Sequence, residues 1–195
     1  MKKGVKILSY LMGAFLIVFL GYFILQGNYE FSGYSLIAGI LFYVLIWANK
    51  YYDIPLTALW LIAIWIILHM LGGSVYIGGT KLYDLLLVNL FNGGGEFMIL
   101  KYDQLIHAYC YIAIASVIYF MLKKHMKKGQ DNALIVFTIL AAIGVGLLNE
   151  VIEFAMVVFA DAGEAVGGYY NTALDLVFNL IGAILGAFFA QKVLD

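Results

Sequence analysis

Six ionisable side chains interrupt otherwise apolar stretches of this sequence: His69, Asp103, His107, Glu150, Glu153 and Asp175. Asp103 and His107 are four residues apart, and Glu150 and Glu153 three apart, so on helices each pair projects from one face. Asn171, Asp175 and Asn179 recur every four residues as one polar stripe, and Asn149 precedes Glu150. Three kinds of chemistry suit such a set. Carboxylates and imidazoles from several helices can hold a metal, as Glu and Glu-x-x-His sets do in soluble bundles. Zinc, manganese or iron would accept these donors. Closely placed carboxylates can also divide acid and base roles, with His107, oriented by Asp103, as proton carrier. Finally, the groups can simply tie helices together, at about 0.6 kcal/mol per hydrogen bond in a membrane. Charges within apolar helices are costly, and four carboxylates with two imidazoles are an expensive route to that end.

The candidate catalytic residues are therefore Asp103, His107, Glu150, Glu153 and Asp175. His69, Asn149, Asn171 and Asn179 are candidate ligand-binding or supporting residues. His107, Glu150, Glu153 and Asp175 are the candidate ligands for a divalent metal.

The elements that carry them are apolar. The chain is 65 % hydrophobic and 12 % charged, with a mean hydropathy of +0.97. Soluble domains are about 45–50 % apolar and about 25 % charged. The expected fold is all-α: a polytopic membrane bundle of about six spans, forming one integral membrane domain over 1–195. Hydropathy places the spans near 5–25, 34–49, 54–72, 104–122, 132–157 and 171–191. Lys2, Lys3 and Lys6 precede a long apolar run without an A-x-A end, which reads as an uncleaved first span. Pro55 falls in the first turn of span three, where its missing N–H costs nothing. The stretch 73–101 contains an apolar run, Lys81 to Phe91, too short to cross. It is expected to form a short interfacial helix over the bundle end, followed by a flexible break at Gly93, Gly94 and Gly95.

Lysines orient the bundle. Lys2, Lys3, Lys6, Lys50, Lys123, Lys124, Lys127, Lys128 and Lys192 fall on one side, which the positive-inside rule makes cytoplasmic together with both termini. The opposite side carries Glu30, Glu96, Asp161 and Glu164 against Lys81 and Lys101. Spans three and five then run outward and spans four and six inward, so the six ionisable residues share one depth near the outer face. In span six the polar stripe continues inward as Gly182 and Gly186, a small-xxx-small pattern for close packing.

Several classes are disfavoured. There is no arginine, hence no bidentate phosphate clamp and no basic surface for nucleic acid. Cys110 is the only cysteine and reads as a small core hydrophobe. No P-loop, G-x-S-x-G, H-E-x-x-H or C-x-x-C is present.

The segments Leu68-His-Met-Leu-Gly-Gly73, Tyr102-Asp-x-x-x-His107, Asn149-Glu-x-x-Glu153 and Tyr170-Asn-Thr-x-x-Asp-Leu-x-x-Asn-x-x-Gly-Ala183 resemble those of the YjdF-like inner-membrane proteins. More distantly they are similar to VanZ-like membrane proteins. Lys101 and Gln104 stand around Asp103 where arginines often flank the VanZ-like motifs. The resemblance implies a polytopic plasma-membrane protein and, through the VanZ-like members, a cell-envelope role.

The function expected is a cell-envelope membrane protein with an outward-facing polar site that binds or processes a lipid-type or lipid-linked ligand, with metal assistance. The bilayer and a lipid or glycan-lipid are its expected partners, and nucleic acid is not. Two other readings stand beside it: a small proton- or cation-coupled transporter, and a structural or accessory subunit. Whether the site catalyses stays open among them, and nothing in the sequence fixes an oligomeric state.

Overall fold

The structure is a computed structural model that describes residues 2–92, 97–160 and 168–195. In hydrocarbon every backbone polar group must be satisfied within its own segment, so long apolar runs become helices. The helices are α1 (Lys3–Leu25), α2 (Tyr29–Tyr52), α3 (Leu56–Ser74), α4 (Tyr102–Lys123), α5 (Asp131–Ala160) and α6 (Tyr169–Phe189), the last running on into a π-helical turn, Ala190–Leu194. Among the described residues these six are long and apolar enough to cross a membrane. Local chemistry sets their ends. The Asn28 side chain accepts a hydrogen bond from Phe31 N (3.1 Å) and caps α2. Asp53 closes α2 in the left-handed conformation, and Pro55 caps α3. Gly93, Gly94, Gly95, Glu96, Asp161 and Glu164 lie outside the described residues.

Two halves make up the bundle. In α1–α3, large side chains interlock: Leu8, Met12, Leu59, Ile66 and Met70 are fully buried in one cluster. In α4–α6 the packing runs through small residues, and α3 joins the halves by packing on α4. Lysines mark one end of the bundle, where Lys2 pairs with Asp53 (3.2 Å) and Lys123 with Asp195.

The opposite end differs from the sequence expectation. The segment from Tyr76 to Lys101 forms two antiparallel hairpins, not an interfacial helix. Strands β1 (Tyr76–Ile77) and β2 (Thr80–Lys81) are joined by Gly78 and Gly79, with φ of 60° and 86°. Positive φ at both central residues is what a two-residue hairpin of this twist requires. A 3₁₀ turn follows (Leu82–Asp84), then β3 (Leu86–Asn92), which pairs with β4 (Met98–Lys101). An eleven-residue helix is marginal by itself. Here the second apolar run, Met98–Lys101, offers the first a backbone partner, which a helix would have left unpaired. Phe97 stacks on Tyr170 (5.1 Å between centroids), fixing this hairpin to the start of α6.

Candidate functional site

The site is set by how closely α4 and α6 approach. A β-carbon on Gly182 would lie 2.2 Å from the Ala108 carbonyl oxygen, and one on Gly186 2.5 Å from that of Ile112. Only glycine permits this contact. Asp175, Asn179, Gly182 and Gly186 occupy one face of α6, so the same approach presses the polar residues against Asp103 and His107 on α4.

The resulting geometry is specific. His107 Nδ1 donates to Asn179 Oδ1 at 3.0 Å. His107 Nε2 faces two carboxylates, Asp103 Oδ1 at 3.4 Å and Asp175 Oδ1 at 3.9 Å. Asp175 is buried to 1 % exposure. Its Oδ2 accepts a hydrogen bond from Asn171 Nδ2 at 2.8 Å, while Oδ1 has no hydrogen-bond partner among the described residues. One donor atom from each of Asp103, His107 and Asp175 lies within 4.8 Å of the others. With Nδ1 committed as donor, the exchangeable proton is the one on Nε2: with it the ring ion-pairs with both carboxylates, and without it Nε2 offers a lone pair beside two carboxylate oxygens. In that second form three acceptors face one point, the arrangement a cation needs. Ligands bonded to zinc at about 2.0–2.2 Å sit roughly 3.3–3.5 Å apart in a tetrahedron, so small side-chain movements would close this set. Two asparagines act behind it, Asn171 on Asp175 and Asn179 on His107, the arrangement that orients metal ligands elsewhere.

This triad forms part of the wall of a cavity of about 360 Å³ whose lining extends to Lys81, Tyr83, Asp84 and Lys101 at the hairpin end. Asn149 and Glu153 of α5 also line it, and Asn149 donates to Glu153 Oε1 at 2.7 Å. His69 of α3 lies on its far wall, hydrogen-bonded to Tyr83 and ringed by Phe31, Tyr34 and Trp65 at 5.3–5.6 Å between centroids. Burial, reinforced by the nearby Asp103, holds the Tyr83 hydroxyl well above the ordinary phenol range. It stays protonated and shares a hydrogen bond with His69 Nδ1, as donor or as acceptor according to the His69 tautomer.

Of the residues expected from sequence, His69, Asp103, His107, Asn149, Glu153, Asn171 and Asp175 line this one cavity. Asn179 stands behind His107. Glu150 does not line it; its carboxylate is buried, and neither oxygen has a hydrogen-bond partner among the described residues. The metal-compatible grouping includes Asp103, which the expected ligand set omitted, and neither Glu150 nor Glu153. Sequence reasoning also passed over Tyr83, Asp84, Lys81 and Lys101, which line the mouth. Their signal was the Gly78-Gly79 turn, which folds Lys81 and the residues after it back over the helix ends.

No curated protein and no solved structure gives a match to this chain. A family model does match, over residues 7–195. With nearly the whole sequence covered, the chain belongs to the family described as predicted membrane protein (DUF2238).

Proposed function

We propose that this polytopic membrane protein binds a divalent cation through Asp103, His107 and Asp175. On that reading it presents the cation to the polar head of a lipid-type or lipid-linked ligand. The observation that carries the proposal is the Nε2 of His107, facing two carboxylate oxygens while its other nitrogen is tied to Asn179. A one-histidine, two-carboxylate set leaves coordination positions open for water or ligand, and the adjoining cavity supplies the room. Glu153, held by Asn149 on the same wall, is the carboxylate placed to accept a proton if the head is processed rather than only held. The lysine distribution supports a plasma-membrane orientation with the lysine end and both termini cytoplasmic, all of 1–195 as one domain, and the site facing outward. The likeness to YjdF-like and VanZ-like proteins supports a cell-envelope role. A transporter would need a polar path to the lysine end. Instead Tyr119, Leu134, Ile135, Ala187 and Ala190 close that end in an apolar cluster.

The test is elemental analysis of protein purified in mild, chelator-free detergent and equilibrated separately with zinc and manganese. About one ion per chain is expected, lost in His107→Ala and in Asp175→Asn. Wild-type protein that stays metal-free, or variants that retain the ion, would overturn the cation reading.

A further inference from the structure

The cavity is not confined to the polar end. On α2 it is lined by Tyr34, Ile37, Ala38 and Leu41, spaced three or four apart and hence on one face of the helix. Leu41 lies twelve residues into α2, about 18 Å along the axis at 1.5 Å per residue. Trp65 and Tyr111 line it at comparable depth, each nine residues from the hairpin end of its own helix, about 13 Å. A hydrocarbon core is about 30 Å thick, so the apolar arm of the cavity reaches the middle of the membrane. The polar arm, with Asp103, His107 and Asp175, lies nearer the surface.

The cavity also has an open side. The helix α2 packs mainly on α1 and secondarily on α3, while α5 packs on α4 and α6. No packed interface joins α2 to α5 among the described residues, although both contribute to the cavity wall. Ile37 and Leu41 line the cavity and are still 49 % and 59 % exposed. Both lie well within a span, so the surface they do not turn to the cavity faces lipid tail.

We propose that the cavity is reached sideways from the bilayer, between α2 and α5, and takes one alkyl chain of an amphiphile along Ile37, Leu41 and Trp65. The polar head of that amphiphile then lies over Asp103, His107 and Asp175. The proposal rests on the cation-and-headgroup reading only for the position of the head. The chain site stands on the depth and the apolar character of the residues that line the cavity.

The probe is a lysophospholipid with a brominated acyl chain, whose bromines quench nearby tryptophan. Trp47→Phe and Trp60→Phe leave Trp65 as the only reporter. Added to this protein in maltoside micelles, the probe is expected to quench Trp65 saturably, at about one molecule per chain. Ile37→Phe with Leu41→Phe should weaken that binding at least tenfold. Both positions are half exposed, so the larger rings can be tolerated without repacking the core. Leu36→Phe with Val44→Phe, on the part of α2 that does not line the cavity, should leave binding within twofold of the starting protein. Quenching that rises linearly with probe and never saturates, or that ignores the Ile37 and Leu41 changes, overturns the proposal. Repeating the titration in His107→Ala separates the two readings. Saturable quenching without bound metal keeps the chain site and places any failure on the cation. Bound metal in the wild type with no saturable quenching removes the chain site alone.

Discussion

The two halves of this bundle solve packing in opposite ways. In α1–α3 the contact surface is made by long side chains, Leu8, Met12, Leu59, Ile66 and Met70, which can shift rotamer to absorb a change. In α4–α6 it is made by backbone meeting backbone at Gly182 and Gly186. A side-chain interface tolerates small displacements, whereas a glycine seam fixes the distance between two helices. The polar triad sits on the seam, and the apolar wall of the cavity comes largely from the other half. The triad is thus carried by the rigid pair, and on the proposed reading the wall that admits the ligand is carried by the more yielding helices.

The harshest test of that contrast is Gly182→Ala with Gly186→Ala. Each new β-carbon would fall within 2.5 Å of a main-chain oxygen that no rotamer change can move. Overpacking of this kind typically costs about 1–3 kcal/mol per site. The larger effect should be on the site, because separating α4 from α6 pulls Asp175 and Asn179 away from His107. Metal affinity should fall at least a hundredfold. Ile66→Ala in the other half should cost about 2–5 kcal/mol of stability yet keep one ion per chain. Equal loss of metal in both variants would show that the halves do not differ in this way.

This seam also marks where the sequence was legible and where it was not. Hydropathy located all six helices, because a backbone in hydrocarbon has few alternatives. Their ends agree to within about three residues, except the start of α2, which lies five residues earlier than expected, at Tyr29. The Asn171, Asp175, Asn179, Gly182, Gly186 stripe correctly reads as one face of α6, since helical period alone decides it. The rotation of α5 was not legible. Glu150 and Glu153 share a face by spacing, but three residues subtend about 300° on a helix, so the two diverge by about 60°, enough to put one on the cavity wall and the other behind it. The hairpins were missed for a different reason. The Gly78-Gly79 pair is a turn signal, but the apolar run after it has no period that separates strand from helix, and its partner strand lies beyond a glycine-rich stretch.

A gentler way to sharpen the contrast is to remove the asparagines and leave the ligands. Asn171→Ala frees Asp175 Oδ2 and Asn179→Ala frees His107 Nδ1. Loss of such outer-shell partners commonly costs about 10–100-fold in metal affinity. Both variants should retain the fold and bind metal more weakly, with Asn149→Ala smaller in effect because Glu153 is outside the grouping. Isothermal titration with zinc reads all three. An Asn149→Ala loss equal to the other two would bring Glu153 into the ligand set.

The smallest effect should lie at the lysine end, where α4 and the chain beyond α6 meet through a polar clasp instead of a glycine seam. Tyr119 Oη donates to Asp195 Oδ2 at 2.8 Å, and Lys123 Nζ donates to Asp195 Oδ1. Burial works against ionisation of Asp195, but the bonds from Lys123 and Tyr119 prevail and hold its carboxyl below the usual aspartate range. A depressed native pKa means that the contribution is fully present above the unfolded value, about 4. It fades as pH falls through the lower native value. Lys123 is 46 % exposed, so water screens the pair and the clasp is worth about 0.5 kcal/mol. Asp195→Asn should therefore lower the unfolding midpoint only slightly at pH 7, and that difference should shrink toward pH 3. Metal stoichiometry should not change, because the clasp and the triad lie at opposite ends of the α4–α6 pair and the glycines between them hold the spacing without it. A variant that lost metal along with the clasp would mean that the seam needs closing at its lysine end before it can position ligands at the other.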